Sequence, residues 1–279
     1  MTLDEHLSQW TLDMRAQSFS GRTINERVRI VRQFGRLTDT DVLAAQPDVI
    51  TSFLAQNDLK ASSRETYFRA LTAWFTWAQG RSIITASPME RVARPHLPPT
   101  SPRPAPVIHV QRVLTSDIRE ATRMKILLGV YAGLRAHEIA RFQGEFLDIQ
   151  AQIMTIPGKG GRIDTLPVHP SILSEAQFFP QRGYWFPSPK YPDRPVRADS
   201  VSTVISHAFA RIDTSVTAHQ LRHTFATELL RKGVDVRIVQ TLMRHESLAT
   251  TARYTRVDID QQRVALKMLN PAPTPLTIL

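Results

Sequence analysis

Residues 217 to 256 read TAHQLRHTFATELLRKGVDVRIVQTLMRHESLATTARYTR, and the rest of the chain is organised around them. This stretch contains His219 and Arg222 three residues apart, then His245, and then Tyr254 nine residues later. An arginine can bind a phosphate through two parallel hydrogen bonds. A histidine exchanges protons near neutral pH, and a tyrosine hydroxyl can act as a nucleophile. Together these side chains suit phosphoryl transfer onto a protein side chain.

Local signals predict a helix across the first part of this stretch. Thr217 and Gln220 have the spacing of a capping box, so the helix should begin near residue 218 and end near Lys232–Gly233. Its buried face should be formed by Leu221, Phe225 and Leu229.

The same helix should carry two of the candidate site residues. His219 and Arg222 lie about 60° apart around the helix axis, so we expect them to face one shared space beside the core. A second helix should follow Asp235, and a third, capped by Ser247, should carry Tyr254. The second should bury Ile238, Val239 and Leu242.

Composition limits the class of protein. The chain has 279 residues, a formal net charge of +10 and no cysteine. This length suits two domains, and the charge favours a polyanionic partner. The absence of cysteine excludes disulfides, thiolate catalysis and cysteine-bound zinc. The first residues, MTLDEHLSQW, lack the apolar region of a signal peptide, and there is no long apolar run. We expect a cytoplasmic protein without a membrane partner.

Residues 1–93 read as a helical domain. One apolar face is formed by Ile24, Val28, Val31 and Phe34. Ser62 and Glu65 have the spacing of a second capping box, which would open the strongest helix. On that helix the aromatic and apolar residues at helical spacing are expected to pack in a core: Tyr67, Leu71, Trp74, Phe75 and Ala78.

Residues 94–106, RPHLPPTSPRPAP, form the predicted domain boundary. Six of these thirteen residues are proline, so the segment should be an extended, semi-rigid linker. The net charge is +1 over residues 1–93 and +7 over residues 107–279. The positive field should therefore lie mainly on the second domain.

The second domain should combine helices with a small sheet. A helix is predicted over residues 116–133, and Arg135 should start the next one, with Glu138 within reach on the same face. Residues 146–168 change to short β-like runs, the last two joined by a glycine-rich turn that carries Lys159. A loop around residues 184–189 and a helix over 199–212 should return the chain to residue 217.

The order H-x-x-R, then H, then Y resembles the box that closes the tyrosine recombinases, the phage integrase family. The N-terminal segment is similar to the family's helical core-binding (SAM-like) domain. It carries the family's WA…G…I…P pattern as Trp77, Ala78, Gly80, Ile83 and Pro88. The resemblance implies a mostly α protein of two domains, the second an α+β catalytic domain with a small antiparallel sheet.

The resemblance also assigns roles to single residues. Five of them would surround the scissile phosphate: Arg135, Lys159, His219, Arg222 and His245. Tyr254 would be the nucleophile, Lys159 the proton donor to the leaving 5′-oxygen, and Glu138 the acidic support. No cofactor or metal would be required. One departure is that Met243 and Arg244 stand where the family commonly has Leu-Gly, so Arg244 would either add a phosphate contact or narrow the helix turn.

The function implied is a site-specific DNA recombinase, an integrase or a Xer-type resolvase, that works as a homotetramer on double-stranded DNA. The apolar tail should dock on a neighbouring subunit through a stripe of Val264, Ala265, Met268 and Leu269 and the residues after it.

Two other classes remain open. A metallohydrolase would use His219 and His223, four residues apart, but Gln220 stands where the zincin motif needs Glu. A DNA-binding protein without catalysis would keep the basic charge, yet it would have no reason to hold all six site residues.

Overall fold

The computed structural model describes residues 2–97, 103–158, 161–244 and 259–269, the first three of the last range by their backbone alone. The chain divides into two compact units, residues 1–100 and 101–279. The described residues are mostly helical and contain one three-stranded antiparallel sheet. The predicted fold class is thereby confirmed. Across these ranges, none of the helices has the length and apolar character needed to cross a membrane.

The first unit is a bundle of four helices. They are α1 (Leu3–Ala16), α2 (Gly21–Thr38), α3 (Pro47–Leu54) and α4 (Ala61–Gly80), with 3-10 turns at Val42–Ala44 and Pro88–Arg91. Trp74 is fully buried at the centre and packs edge-on against Trp10. The predicted apolar faces of α2 and α4 are confirmed, because their aromatic and aliphatic residues line this core.

The capping box predicted at the start of α4 is wrong. Lys60 is the N-cap residue and makes no side-chain capping bond. Glu65 instead is buried and accepts hydrogen bonds from Arg69 (2.7 Å) and from Arg94 (2.6 Å). Two cations, one of them 29 residues away, outcompete the backbone N–H for this carboxylate.

The proline-rich segment is anchored at both ends. Arg94 binds Glu65 in the first unit. Ala105 is buried in the core of the second unit, and its carbonyl accepts a hydrogen bond from the Thr224 hydroxyl (3.0 Å). The last residues of the predicted linker therefore pack as part of the second unit.

The second unit holds eight helices and three strands among its described residues. The helices are α5 (Val107–Thr115), α6 (Glu120–Tyr131), α7 (Ala136–Ala140), α8 (Pro170–Ala176), α9 (Ala198–Ala210), α10 (Ala218–Arg231), α11 (Val236–Met243) and α12 (Ile259–Lys267). The strands are β1 (Leu147–Asp148), β2 (Ile153–Pro157) and β3 (Ile163–Pro167), in the order β1-β2-β3. Met154 pairs with Leu166 in the antiparallel register.

The helix predicted over residues 116–133 is shorter than expected. It begins at Glu120, because Ser116 ends α5 and its hydroxyl binds the Val113 carbonyl (2.8 Å). Helix α5 was not predicted from the sequence. The strands, the loop around residues 184–189 and the helix near 199–212 agree with the predictions.

Close packing of α6 against α10 sets the position of the candidate site. A Cβ at Gly129 would lie 3.2 Å from Leu221, so a larger residue there would force the two helices apart. Leu221, Phe225 and Leu229 are all buried, which confirms the predicted face of α10.

Helix α12 packs on its own unit. Ala265, Leu266 and Leu269 are buried in the core, whereas Val264 and Met268 are 57% and 42% exposed. The register of the predicted apolar stripe is therefore wrong. Two of the four predicted residues, Val264 and Met268, are exposed, and Leu266, which was not predicted, is buried. The residues after Leu269 lie outside the described ranges, so docking on another subunit stays a prediction for residues 270–279.

Candidate active site

Helix α10 places Arg222 inside the protein. The capping box predicted at its start is confirmed: the Thr217 hydroxyl accepts from the Gln220 amide (3.3 Å), and the Gln220 side chain accepts from the Thr217 amide (2.9 Å). Gly233 with φ +79° follows the helix end, as predicted. About one and a half turns of helix beyond the N-cap, Arg222 is 3% exposed.

The Arg222 guanidinium joins two parts of the chain. It donates hydrogen bonds to the carbonyls of Gly133, in the turn before α7, and of Met243, at the end of α11. Burial, together with the charges of Arg135 and Arg244, lowers the pKa of Arg222 to about 9. An anion placed beside this group would favour its charged form.

Arg135 lies at the start of α7, as predicted, and is bound to Glu138. One carboxylate oxygen of Glu138 accepts from the Arg135 backbone N–H (2.7 Å), and the other accepts from its guanidinium (3.0 Å). The Glu138 side chain is 7% exposed and that of Arg135 is 37% exposed. The pair is therefore partly buried and oriented, unlike an exposed surface ion pair.

Arg244 completes a cluster of three arginines, two of which, Arg135 and Arg244, bind the carboxylate of Glu138. Its guanidinium donates to Glu138 at 2.6 Å, and its side chain is 3% exposed. Burial by itself would raise the pKa of Glu138. The charge of Arg244 and the hydrogen bonds from Arg135 outweigh this effect and hold the pKa of that carboxyl below its usual value.

Of the two roles considered for Arg244, narrowing of the helix turn is wrong, and a phosphate contact stays a prediction. Its side chain turns inward to Glu138, where it does not meet solvent, and α11 ends normally with Arg244 in the left-handed conformation (φ 50°, ψ 49°). The family's glycine suits such a conformation, whereas a residue with a side chain is strained there by about 1–2 kcal/mol. The pairing with Glu138 was hidden from sequence reasoning because 106 residues separate the partners.

His219 stands apart from this cluster. It is exposed on α10, and its Nε2 lies 2.9 Å from Nε2 of His223, with the two rings edge to face. Arg222 binds the carbonyls of Gly133 and Met243, whereas His219 lies beside His223, so the structure shows no contact between His219 and Arg222 within its described ranges. Their shared space stays a prediction. His223 was expected only as a metal ligand. Its place one turn after His219 was the signal for this contact.

The other three candidate residues lie outside the described ranges: Lys159, His245 and Tyr254. The chain on each side of them is described. The Gly158 amide binds the Arg162 carbonyl (2.7 Å) at the end of the β2–β3 hairpin, and Lys159 lies between these two residues in the sequence. The residue that follows the buried Arg244 is His245.

The metallohydrolase alternative requires at least three metal ligands close together, and the structure brings two histidines together. His219 and His223 do meet, but in the part of the chain that the structure describes no third His, Asp or Glu joins them to form a metal-binding group. An i, i+4 histidine pair without a third protein ligand falls short of the usual catalytic zinc site.

Comparison with known proteins identifies the family. The sequence profile of the phage integrase family matches residues 109–261. A putative integrase/recombinase of Sinorhizobium fredii is 30% identical over 286 residues, which cover 94% of this chain and 89% of that protein. The tyrosine recombinase XerA of Pyrococcus furiosus is 30% identical over 192 residues, which cover 65% of this chain and 66% of XerA.

Solved structures agree with this assignment. The integrase from mycobacterium phage Brujita is 40% identical, with a TM-score of 0.58 and coverage of 98% of this chain and 94% of that one. The lambda integrase fragment bound as a dimer to a core site has a TM-score of 0.69 at 18% identity, with coverage of 93% and 100%, and shares the fold. The chain therefore belongs to the phage integrase family, the tyrosine recombinases that cleave and rejoin DNA.

Proposed function

We propose that this chain is the integrase of a mobile element and recombines duplex DNA at specific sites through a 3′-phosphotyrosyl intermediate. The observation that carries the proposal is that Arg135 and Arg222 are both anchored to the end of the same helix, α11. Both guanidiniums bind the last carbonyls of α11, those of Arg244 and Met243, directly before the segment that contains His245 and Tyr254.

The arginine pair is suited to hold the scissile phosphate. A guanidinium has five N–H donors. Arg222 uses two of its donors on carbonyls, and Arg135 uses two on Glu138 and the Arg244 carbonyl, so each keeps donors for the two non-bridging oxygens. Because these groups are fixed by the fold, little reorganisation is needed when negative charge develops in the transition state.

The remaining roles follow the family assignment. Tyr254 would lose its proton and attack the phosphorus, forming the phosphotyrosyl bond while the bond to the 5′-oxygen breaks. Lys159 would give that oxygen its proton. His219 and His245 would add hydrogen bonds to the phosphate. His219 would have to release His223 to do so, because its Nε2 faces that ring.

Charge supports duplex DNA as the partner. The net charge of +10 favours a polyanion. In the first unit, Arg29, Arg32 and Arg36 recur at helical spacing along α2 and line an open groove of about 600 Å³. We propose that this helix contacts the DNA backbone.

The choice between integrase and Xer-type resolvase rests on similarity. The Brujita protein, named an integrase, is 40% identical along nearly the whole chain. The tyrosine recombinase XerC of Methylobacterium nodulans is 30% identical, so a Xer-type resolvase is the second candidate function. Lambda integrase, which shares the fold, has been solved as a tetramer on a Holliday junction, and we propose the same assembly for this chain.

Covalent capture tests the proposed chemistry. The protein is incubated in EDTA with sheared genomic DNA from its source, denatured, and the DNA fragments still attached are sequenced. We expect one family of fragments with a shared inverted repeat, and DNA binding that weakens steeply with salt. Failure to recover any covalent fragment, or cleavage that requires a divalent ion, would contradict the proposal.

The recovered site then separates the two biological roles. A site shared by a mobile element and its insertion point, with recombination between two plasmids, supports an integrase. Exclusive resolution of plasmid or chromosome dimers would support the Xer alternative.

A further inference from the structure

The buried carboxylate of Glu138 is shared by two arginines. One oxygen accepts from Arg135, and the other accepts both from the Arg135 amide and from the Arg244 guanidinium, at 2.7 and 2.6 Å. The side chains of Glu138 and Arg244 are 7% and 3% exposed. A buried charge pair keeps its strength because water screens it little.

The backbone around Arg244 adds two further ties to the same cluster. The Arg244 carbonyl accepts from Arg135 (3.4 Å), and the neighbouring Met243 carbonyl accepts from Arg222. The end of α11, the start of α7 and the middle of α10 are thus joined through three guanidiniums and one carboxylate.

We propose that Arg244 is a positioning residue of this recombinase. It holds Glu138 against the end of α11 and so fixes the Arg135 guanidinium relative to Arg222. The inference rests on the proposed function, since it concerns the same site. Arg244 is in a left-handed conformation in which glycine would be unstrained, and the positioning role gives the arginine a function that offsets this strain.

The hydrogen bonds of Arg244 direct its side chain at Glu138 and at the end of its own helix. Its Nη2 donates to Glu138, and its Nη1 donates to the Leu242 carbonyl (3.3 Å) at the end of its own helix. Arg135 is the member of the pair that reaches solvent. Arg244 therefore acts on the phosphate through Glu138 and Arg135.

The test compares Arg244→Gly with Arg244→Lys. Glycine fits the left-handed backbone, so the first variant removes the guanidinium without straining the turn. Lysine keeps the charge but offers a single donor centre. Single-turnover cleavage and binding are measured on the captured site DNA, nicked beside the cleavage position.

Arg123→Ala serves as the structural control. Arg123 is also buried in the second unit, but it donates to the carbonyls of Leu114 and Ser116, outside the cluster. We expect Arg244→Gly to cleave about 100-fold more slowly with unchanged DNA affinity, because a displaced guanidinium misaligns the phosphate. Arg244→Lys should recover part of the rate.

A neutral substrate distinguishes positioning from a general loss of structure. Methylphosphonate at the scissile position removes one charged oxygen, so the diastereomer that lacks the oxygen facing Arg135 depends less on that guanidinium. On this substrate the Arg244→Gly defect should shrink to less than about tenfold, whereas any Arg123→Ala defect should be equal on both substrates.

Two results would overturn the inference while the proposed function stands. One is wild-type cleavage by Arg244→Gly, and the other is an equal defect on charged and neutral substrates. A wild-type protein that forms no covalent adduct with any DNA would instead overturn the proposed function, and the role of Arg244 with it.

Discussion

Replacing Gly133 with alanine should damage both the fold and the site. Gly133 has φ +60°, and a Cβ built there would lie 2.6 Å from Cδ1 of Phe225, which is 1% exposed. The Gly133 carbonyl also holds the Arg222 guanidinium. A shift of this turn is therefore transmitted to Arg222.

The expected cost has two parts. The left-handed backbone costs an alanine about 1–2 kcal/mol. Forcing an extra methyl into the packed core costs about 1–3 kcal/mol more. The total of about 2–5 kcal/mol is a large share of the roughly 5–15 kcal/mol by which a domain is stable.

Gly233→Ala is the matched control. Gly233 has φ +79°, and a Cβ at this position would meet no atom within 4 Å, so this variant should lose only the backbone part, about 1–2 kcal/mol. Both variants are compared by urea unfolding followed by circular dichroism. Phe225→Leu is combined with each, since a smaller side chain should relieve the contact at Gly133 and leave the cost at Gly233 unchanged. If Gly133→Ala costs no more than Gly233→Ala, or if Phe225→Leu gives no relief, the steric argument is refuted.

Three further predictions concern the proton donor, the pH dependence and the tail. Lys159→Ala should be strongly defective on ordinary DNA and much less so on a 5′-bridging phosphorothiolate, whose thiolate leaves without a proton; equal impairment on both would show that Lys159 is not the acid. Burial lowers the pKa of His169 from 6.5 to about 4, so the unfolded chain takes up the proton first. The contribution of neutral His169 to the free energy of unfolding should be complete above about pH 6.5 and should fall by about 1.4 kcal/mol per pH unit towards pH 4. Urea unfolding at several pH values should show this slope in the wild type and not in His169→Gln. An unchanged slope in His169→Gln would contradict burial as its cause. A chain cut after Asn270 should still bind DNA as one protomer, but sedimentation should show no tetramers. A cut after Val264 also removes the buried Leu269 and should lower the free energy of unfolding as well. Normal tetramers and strand exchange after the cut at Asn270 would rule out docking by the tail.

Signals that are local in sequence predict the structure well. The capping box at Thr217 and Gln220 and the buried face of α10 depend on residues three or four apart, so the sequence contains all of the interaction. The position of Arg135 beside Glu138 is accessible from the sequence for the same reason.

Long-range competition explains the failures. Glu65 has the spacing of a capping residue, but its partner Arg94 lies 29 residues away; the partner of Arg244, Glu138, lies 106 residues away. Spacing along one helix cannot reveal a buried charge on another element. The fold class was thus accessible from patterns, while the arginine cluster needed the packing of α7, α10 and α11.

The proposed chemistry requires that one residue, Tyr254, becomes covalently linked to DNA, and this residue can be identified. The wild-type protein and Tyr254→Phe are incubated with nicked site DNA, and the adduct is resolved on a denaturing gel, digested and sequenced by mass spectrometry. We predict a 3′-phosphotyrosyl bond at Tyr254 in the wild type, and no adduct but near-normal DNA binding for Tyr254→Phe. An adduct on another residue, or one that persists in Tyr254→Phe, would contradict the account.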